Sequence, residues 1–204
     1  MWYTVFMKQI FLQGPIQTGK STLLRRCLLP YRHLLGGFSS QRLLNREGDL
    51  MGFRITSARD FALTRPYTPG LPGIFMLHRN GNVEKRLEVF AGLGVRLLRE
   101  SLQSPIILLD EIGGAELLVP SFREALQSLL ASGIPCLGVL KAPENTVSMV
   151  RGAGYPAQLI RAGEDLRNAV TEQYGAGIIS YTASSADAAE REITAFLSAH
   201  FARD

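Results

Sequence analysis

The stretch Gly14-Pro15-Ile16-Gln17-Thr18-Gly19-Lys20-Ser21 constrains this chain more than any other. It reads G-x-x-x-x-G-K-S, with an apolar run before it (Ile10, Phe11, Leu12) and Thr22-Leu23-Leu24-Arg25-Arg26-Cys27-Leu28-Leu29 after it. Leu23, Leu24, Cys27 and Leu28 fall on one helical face. Strand, glycine loop and helix form the context that a polyphosphate-binding P-loop needs. Gly14 and Gly19 let successive backbone N–H groups turn inward. A helix starting near Gly19 adds its positive dipole end. Lys20 is then placed to reach the β- and γ-phosphates, and the Ser21 hydroxyl to ligate Mg²⁺. Thr18 and Thr22 cap or line the loop, Pro15 stiffens it, and Ile16 and Gln17 complete the cradle.

A second constellation follows far downstream. Pro105-Ile106-Ile107-Leu108-Leu109-Asp110-Glu111 is a continuous apolar run that ends in two carboxylates. Such a run marks a strand covered on both faces, as in a parallel sheet. A strand-end aspartate on a P-loop sheet can hold the hydration shell of Mg²⁺, the Walker-B role. Glu111 is placed to orient or deprotonate the attacking water. Lys141 ends the next apolar strand, Ile134 to Leu140, where a polar side chain can sense the γ-phosphate or simply be exposed.

Between these motifs the periodicity predicts a strand at 8–13 and a helix at 19–30. A small antiparallel excursion follows at about 38–64, with strands at 38–43, 50–56 and 61–64. Proline and glycine predict a loop over 66–73, and Asn80-Gly81-Asn82 a turn. Residues 87–102 take a helical pattern, weakened by Gly92 and Gly94. Ser121 and Glu124 have capping-box spacing behind Pro120, and Gly133 ends that helix. A short helix is expected at 144–152 and a short strand at 157–160. The next helix starts at Glu164, with acids in its first turn, Leu166, Ala169 and Val170 facing the core and Gly175 as its stop. The last helix runs over 186–201. The expectation is one α/β P-loop domain over 1–204, with a mainly parallel sheet, helices on both faces and ligands at the carboxyl ends of the strands.

Net charge is +4 over 204 residues, and its location matters. The span 42–86 carries eight basic residues (Arg42, Arg46, Arg54, Arg59, Arg65, Arg79, Lys85, Arg86) against four acids (Glu47, Asp49, Asp60, Glu84), which accounts for the whole excess. A basic insert at about 38–86 can grip the substrate anion, contact nucleic acid or a protein, or be a solvated surface. No apolar run approaches a membrane span. The N-terminal residues Met1 to Lys8 lack a basic region and a small-residue cleavage site, so no signal peptide is expected. Cys27 and Cys136 have no Cys or His partner at ligand spacing and read as core thiols of a cytoplasmic protein.

The two motifs together, Gly14-Pro15-x-x-x-Gly19-Lys20-Ser21-Thr22-Leu23 and Leu109-Asp110-Glu111-Ile112-Gly113-x-x-Glu116-Leu117, resemble a P-loop nucleoside-triphosphatase family. Its members are known from thermophiles and, in animals, as the cancer-related nucleoside-triphosphatase. Ala115 replaces that family's methionine, while Glu116, Leu117 and Phe122 fit. Gly37-Phe38 and Gly52-Phe53 occur in the same order, and Glu164-Asp165-Leu166-Arg167-Asn168 loosely echoes a late signature. The resemblance implies a RecA-like sheet and slow, broad hydrolysis of ATP, GTP and other triphosphates to the diphosphate and phosphate. It also implies phosphate and Mg²⁺ binding by Lys20 and Ser21, Mg²⁺ support by Asp110, and catalysis by Glu111. Arg59 and Arg65 are the candidates for charge stabilisation, and Arg167 or Asn168 for contact with the base. Two other functions share these motifs: a nucleotide or small-molecule kinase, with the excursion as acceptor site, and a nucleotide-gated binding module.

Overall fold

The computed structural model describes residues 7–79 and 81–201. The leader reading of residues 1–6 and the Asn80 part of the predicted turn lie outside them. Nine strands join one sheet among the described residues: β1 (Gln9–Gln13), β2 (Leu35–Leu44), β3 (Leu50–Ser57), β4 (Thr64–Pro66), β5 (Ile74–Arg79), β6 (Asn82–Lys85), β7 (Ile106–Ile112), β8 (Cys136–Leu140) and β9 (Gly177–Ser180). Their order is β6-β5-β3-β2-β7-β8-β1-β9, with β4 beside the end of β2. From β2 to β9 the pairings are parallel; β3, β5 and β6 add the antiparallel part. The fold is therefore α/β, mostly parallel, as expected. The antiparallel part runs beyond 64, because β5 and β6 form a hairpin in which Gly81 takes φ 76°.

Helices α1 (Lys20–Leu28), α2 (Val95–Glu100), α3 (Pro120–Ala131), α4 (Pro143–Ala153), α5 (Gln158–Asn168) and α6 (Ala186–Phe201) cover the sheet. Strand alternation sorts the core into two layers. Ile10, Leu12, Leu108 and Leu137 pack with Leu24 and Leu28 of α1 and with Ile193 and Leu197 of α6. Phe11, Ile107 and Leu109 face the other way, onto Leu98 of α2, Phe122 and Leu126 of α3 and Leu159 and Leu166 of α5. Strand β8 lies between β1 and β7, so the glycine loop and the paired carboxylates emerge from the same edge of the sheet, one strand apart.

Several local expectations are corrected. α3 begins at Pro120 with Val119 as its cap and no side-chain capping bond. Proline's fixed φ starts the helix one residue early and leaves Ser121 inside its first turn. Residues 157–160 are helical, not a strand: α5 opens at Gln158 with no acid in its first turn. Leu159 and Leu166 are its buried positions, and in the π-helical turn that follows, Ala169–Gln173, Val170 is buried and Ala169 half-buried. The helix over 87–102 contains a π-helical turn, Phe90–Gly94, which rotates Ala91 out to solvent. The predicted strand at 61–64 is displaced to β4, and β9, a half-buried strand, replaces unassigned chain.

Candidate active site

Gln13 ends β1 and hands the chain to the glycine loop. The backbone N–H of Tyr181 donates to the Gln13 carbonyl at 2.7 Å, which presses the next turn of chain against the loop. A Cβ on Gly14 would lie 2.1 Å from the Tyr181 carbonyl oxygen, so only glycine fits there. Gly19 takes φ 96° as it caps α1, a left-handed conformation that favours glycine. Gln17 shares that conformation at φ 60°. The Thr18 hydroxyl donates to the Pro15 carbonyl at 2.9 Å. The Lys20 ammonium lies along the loop, donating to the carbonyls of Gly14 (3.0 Å) and Pro15 and to Thr18 Oγ1 (3.3 Å). Partial burial lowers its pKa, Glu111 opposes that shift, and Lys141 adds to it.

Asp110, at the end of β7, is almost fully buried. Ser21 Oγ donates to its Oδ1 at 2.6 Å. Its Oδ2 receives Arg25 Nη2 at 2.7 Å and the Ser40 N–H at 3.3 Å. Burial pushes the Asp110 carboxyl above the usual aspartate range, while Arg25 and Ser21 draw it back. The sequence reading missed Arg25. Its signal was the i, i+4 spacing from Ser21, which puts both side chains on one face of α1. Periodicity alone could not distinguish the buried Arg25 from the exposed Arg26.

Glu111 is the other residue besides Gln17 with a positive φ among the described non-glycine residues, at 73°. A left-handed side-chain-bearing residue costs about 1–3 kcal/mol, and such strain clusters at functional sites. Here it turns the carboxylate off the strand toward Lys141, with which it forms an ion pair. The bend is held from behind. Glu116 Oε1 accepts the N–H groups of Gly113 (2.7 Å) and Gly114 (2.8 Å), and Thr146 Oγ1 donates to the Gly113 carbonyl at 3.4 Å. Burial raises the Glu116 pKa, and these two N–H groups oppose the rise.

Of the predicted site residues, Gly14, Ile16, Gln17, Thr18, Gly19, Lys20, Ser21 and Thr22 line one cleft of about 580 Å³, with Asp110, Glu111 and Lys141 opposite. Pro15 sits in the loop itself, with its carbonyl on Lys20. Arg59 does not take part. β3 runs back to the starting end of β2, and there Arg59 Nε donates to the Leu35 carbonyl at 2.9 Å, at the opposite end of the sheet. Arg65 stands 3.7 Å from Asp60 and does not line the cleft. Neither do Arg167, whose Nη2 donates to the Lys141 carbonyl at 3.2 Å, nor Asn168, exposed on α5. The arginine that does line it is Arg42.

Much of the basic segment is engaged internally. Arg54 is buried 3.9 Å from Asp60, Arg79 meets the Tyr67 hydroxyl at 2.5 Å, and Arg86 meets Glu84 at 2.6 Å. Lys85 bonds the Ala153 and Gly154 carbonyls. Among the described residues no helix is long and apolar enough to cross a membrane, and both thiols are free.

A glycine loop on β1, a carboxylate pair on β7 and a strand between them define a P-loop nucleoside-triphosphatase. The chain belongs to the NTPase family, whose sequence pattern matches residues 9–173. It is similar to the nucleoside-triphosphatase THEP1 of Thermotoga petrophila, with 29% identity over 138 residues, 65% of this chain and 72% of that one. The THEP1 of Thermotoga maritima is likewise 29% identical over 137 residues, 65% of this chain and 74% of its own. In fold it resembles the crystal structure of THEP1 from Aquifex aeolicus, with TM-score 0.60 and 20% identity over 93% of this chain and 98% of that one.

Proposed function

We propose that the chain is a single P-loop unit that hydrolyses nucleoside triphosphates, ATP and GTP among them, at the γ-phosphorus with Mg²⁺. The observation that carries this reading is the turned-out carboxylate of Glu111, directly after an aspartate already bonded to the P-loop serine.

The donor set suits Mg²⁺. Ser21 Oγ and Asp110 Oδ1 are hard oxygens 2.6 Å apart, and the described residues hold no cluster of three metal-ligating side chains. Mg²⁺ takes few protein oxygens and completes its shell with phosphate and water, so this sparse pair fits it and an all-protein cage is not needed. Ser21 and Asp110 would hold the ion, which would supply positive charge against the charge developing on the phosphates. The chain's own groups do the rest. The loop N–H groups and the α1 terminus receive the β-phosphate, and Lys20 offsets charge on the β- and γ-phosphates. Glu111 orients a water and accepts its proton as the water oxygen bonds to the γ-phosphorus. The bond from that phosphorus to the β–γ bridging oxygen breaks, and the diphosphate leaves. Lys141 holds the Glu111 carboxylate at the mouth of the cleft and offers a second cation to the γ-phosphate. The unpaired thiols support a cytoplasmic location.

The test is phosphate release from ATP and GTP in Mg²⁺ and in EDTA, for wild type and Lys20→Ala. Release that needs Mg²⁺ and is lost with Lys20, together with nucleotide affinity, is expected. Release indifferent to both would overturn the reading.

A further inference from the structure

The cleft is larger than its phosphate end. Past Glu111 it continues over β2, β3 and β5, away from the glycine loop, and there its wall changes character. Phe38, Phe53, Phe75 and Phe90 form the floor, and Met149 and Tyr155 of the α4 side lie across from them. The rings are mutually packed. Phe53 stacks on Phe75 at 6.2 Å between centroids, and Phe75 meets Phe90 at 5.0 Å. Lys85 of β6 lies over the Tyr155 ring at 4.0 Å and bonds the end of α4.

Phe53, Phe75, Met76 and Met149 are nevertheless only half-buried: all four line this space, and Phe75, Met76 and Met149 also pack on the core behind it. Large apolar side chains that line a concave, partly enclosed space beside a reactive centre are the mark of a ligand site. At the rim of the chamber, Arg42 pairs across the strands with Phe53, so both project from the same face of the sheet. Arg42 is exposed and has no ion-pair partner among the described residues.

Taking the nucleotide as assigned above, the chamber lies at the γ-phosphate end. Ser21 and Asp110 mark the β–γ region, and the chamber begins beyond Glu111. The base hangs from the α-phosphate, at the other end of the chain of phosphates, so this chamber is not the base pocket. We propose that it is a second-ligand site for a planar aromatic anion. The ring system packs against Phe53, Phe75 and Met149, and the carboxylate or phosphate group sits at Arg42. This goes beyond triphosphate hydrolysis, although the orientation of the ligand relative to the nucleotide rests on that reading.

The experiment titrates 2-naphthoate into the 204-residue chain, by its own fluorescence, with and without saturating Mg-ADP. Saturable binding in both conditions is expected. Phe53→Ala and Met149→Ala should each weaken it tenfold or more, with unchanged ADP affinity and cooperative melting. Two variants from opposite walls guard against a local folding defect in either. Arg42→Gln should abolish the preference for 2-naphthoate over the uncharged 2-naphthol. Absence of saturable binding, displacement by ADP, or wild-type binding in both wall variants would overturn the proposal. Lys20→Ala separates the two readings: it should lose ADP and keep 2-naphthoate. Retained ADP affinity there, with 2-naphthoate still bound, would instead remove the nucleotide assignment and leave the chamber standing.

Discussion

Replacing Arg25 with methionine tests how the site is held together. Arg25 and Asp110 have side chains 6% and 2% exposed and stand 2.7 Å apart. Removing one partner of such a pair strands the other charge in a low-dielectric interior, at a cost of about 3–5 kcal/mol. For a chain of this size each kcal/mol moves Tm by about 2–4 °C, so Arg25→Met should lower Tm by roughly 6–20 °C at pH 7.5. Glu100→Gln is the control, because the Arg96–Glu100 pair is 67% and 66% exposed and should be worth at most about 1 kcal/mol. The pH dependence has a definite sign. Burial already raises the Asp110 pKa above its ordinary 3.8, and loss of Arg25 raises it further. An acid whose pKa rises on folding stabilises the folded state below the unfolded value and loses that contribution as pH climbs through the folded one. The Tm gap between variant and wild type should therefore narrow from pH 8 to pH 5. Arg25→Met/Asp110→Asn should recover part of the loss. Thermal unfolding followed by circular dichroism reads all four. A loss at pH 7.5 no larger than the control's, or a gap that widens on acidification, would refute the argument.

Three further predictions are more local. Glu116→Gln keeps an oxygen acceptor for Gly113 and Gly114 and removes a buried charge, so it should not lower Tm at pH 7; because the Glu116 pKa is raised from 4.5, the variant should also lose the part of the wild-type decline in stability that sets in as pH rises above that value. Gly37→Ala places a Cβ 2.0 Å from the Leu108 carbonyl at φ 94°, and should cost about 2 kcal/mol or more by chemical denaturation. Burial raises the pKa of Cys27 and of the fully buried Cys136, so at pH 8 a thiol reagent should react slowly with the native chain and rapidly with two thiols in denaturant.

The chemistry was legible in the sequence wherever it sat in a contiguous motif. Gly14 to Ser21 and Asp110-Glu111 are local patterns with a mechanical reason for each residue, and the fold brings them together at one sheet edge. Contacts made across the fold left weaker traces. Arg25 reads as one of two adjacent surface arginines until β2 and β7 close over it. Ala157 to Ile160 is a short apolar run that suits strand or helix, and only its continuation to Leu166 and Val170 decides for helix. β9 is four residues long and half-buried, which leaves almost no alternation to read. No local pattern fixes where Arg59 and Arg65 lie in the fold. The return of β3 to the start of β2 carries Arg59 to the wrong end of the sheet, whereas Arg42, earlier in the chain, reaches the cleft.

The central claim is that Glu111 activates water on a phosphate held by the P-loop. Single-turnover hydrolysis of Mg-ATP by wild type and Glu111→Gln, with the nucleotide Kd of both measured in parallel, tests it most directly. The account predicts a Kd within about threefold and a rate lower by about 10²–10⁴, the usual contribution of a general base. An unchanged rate at unchanged affinity would contradict it.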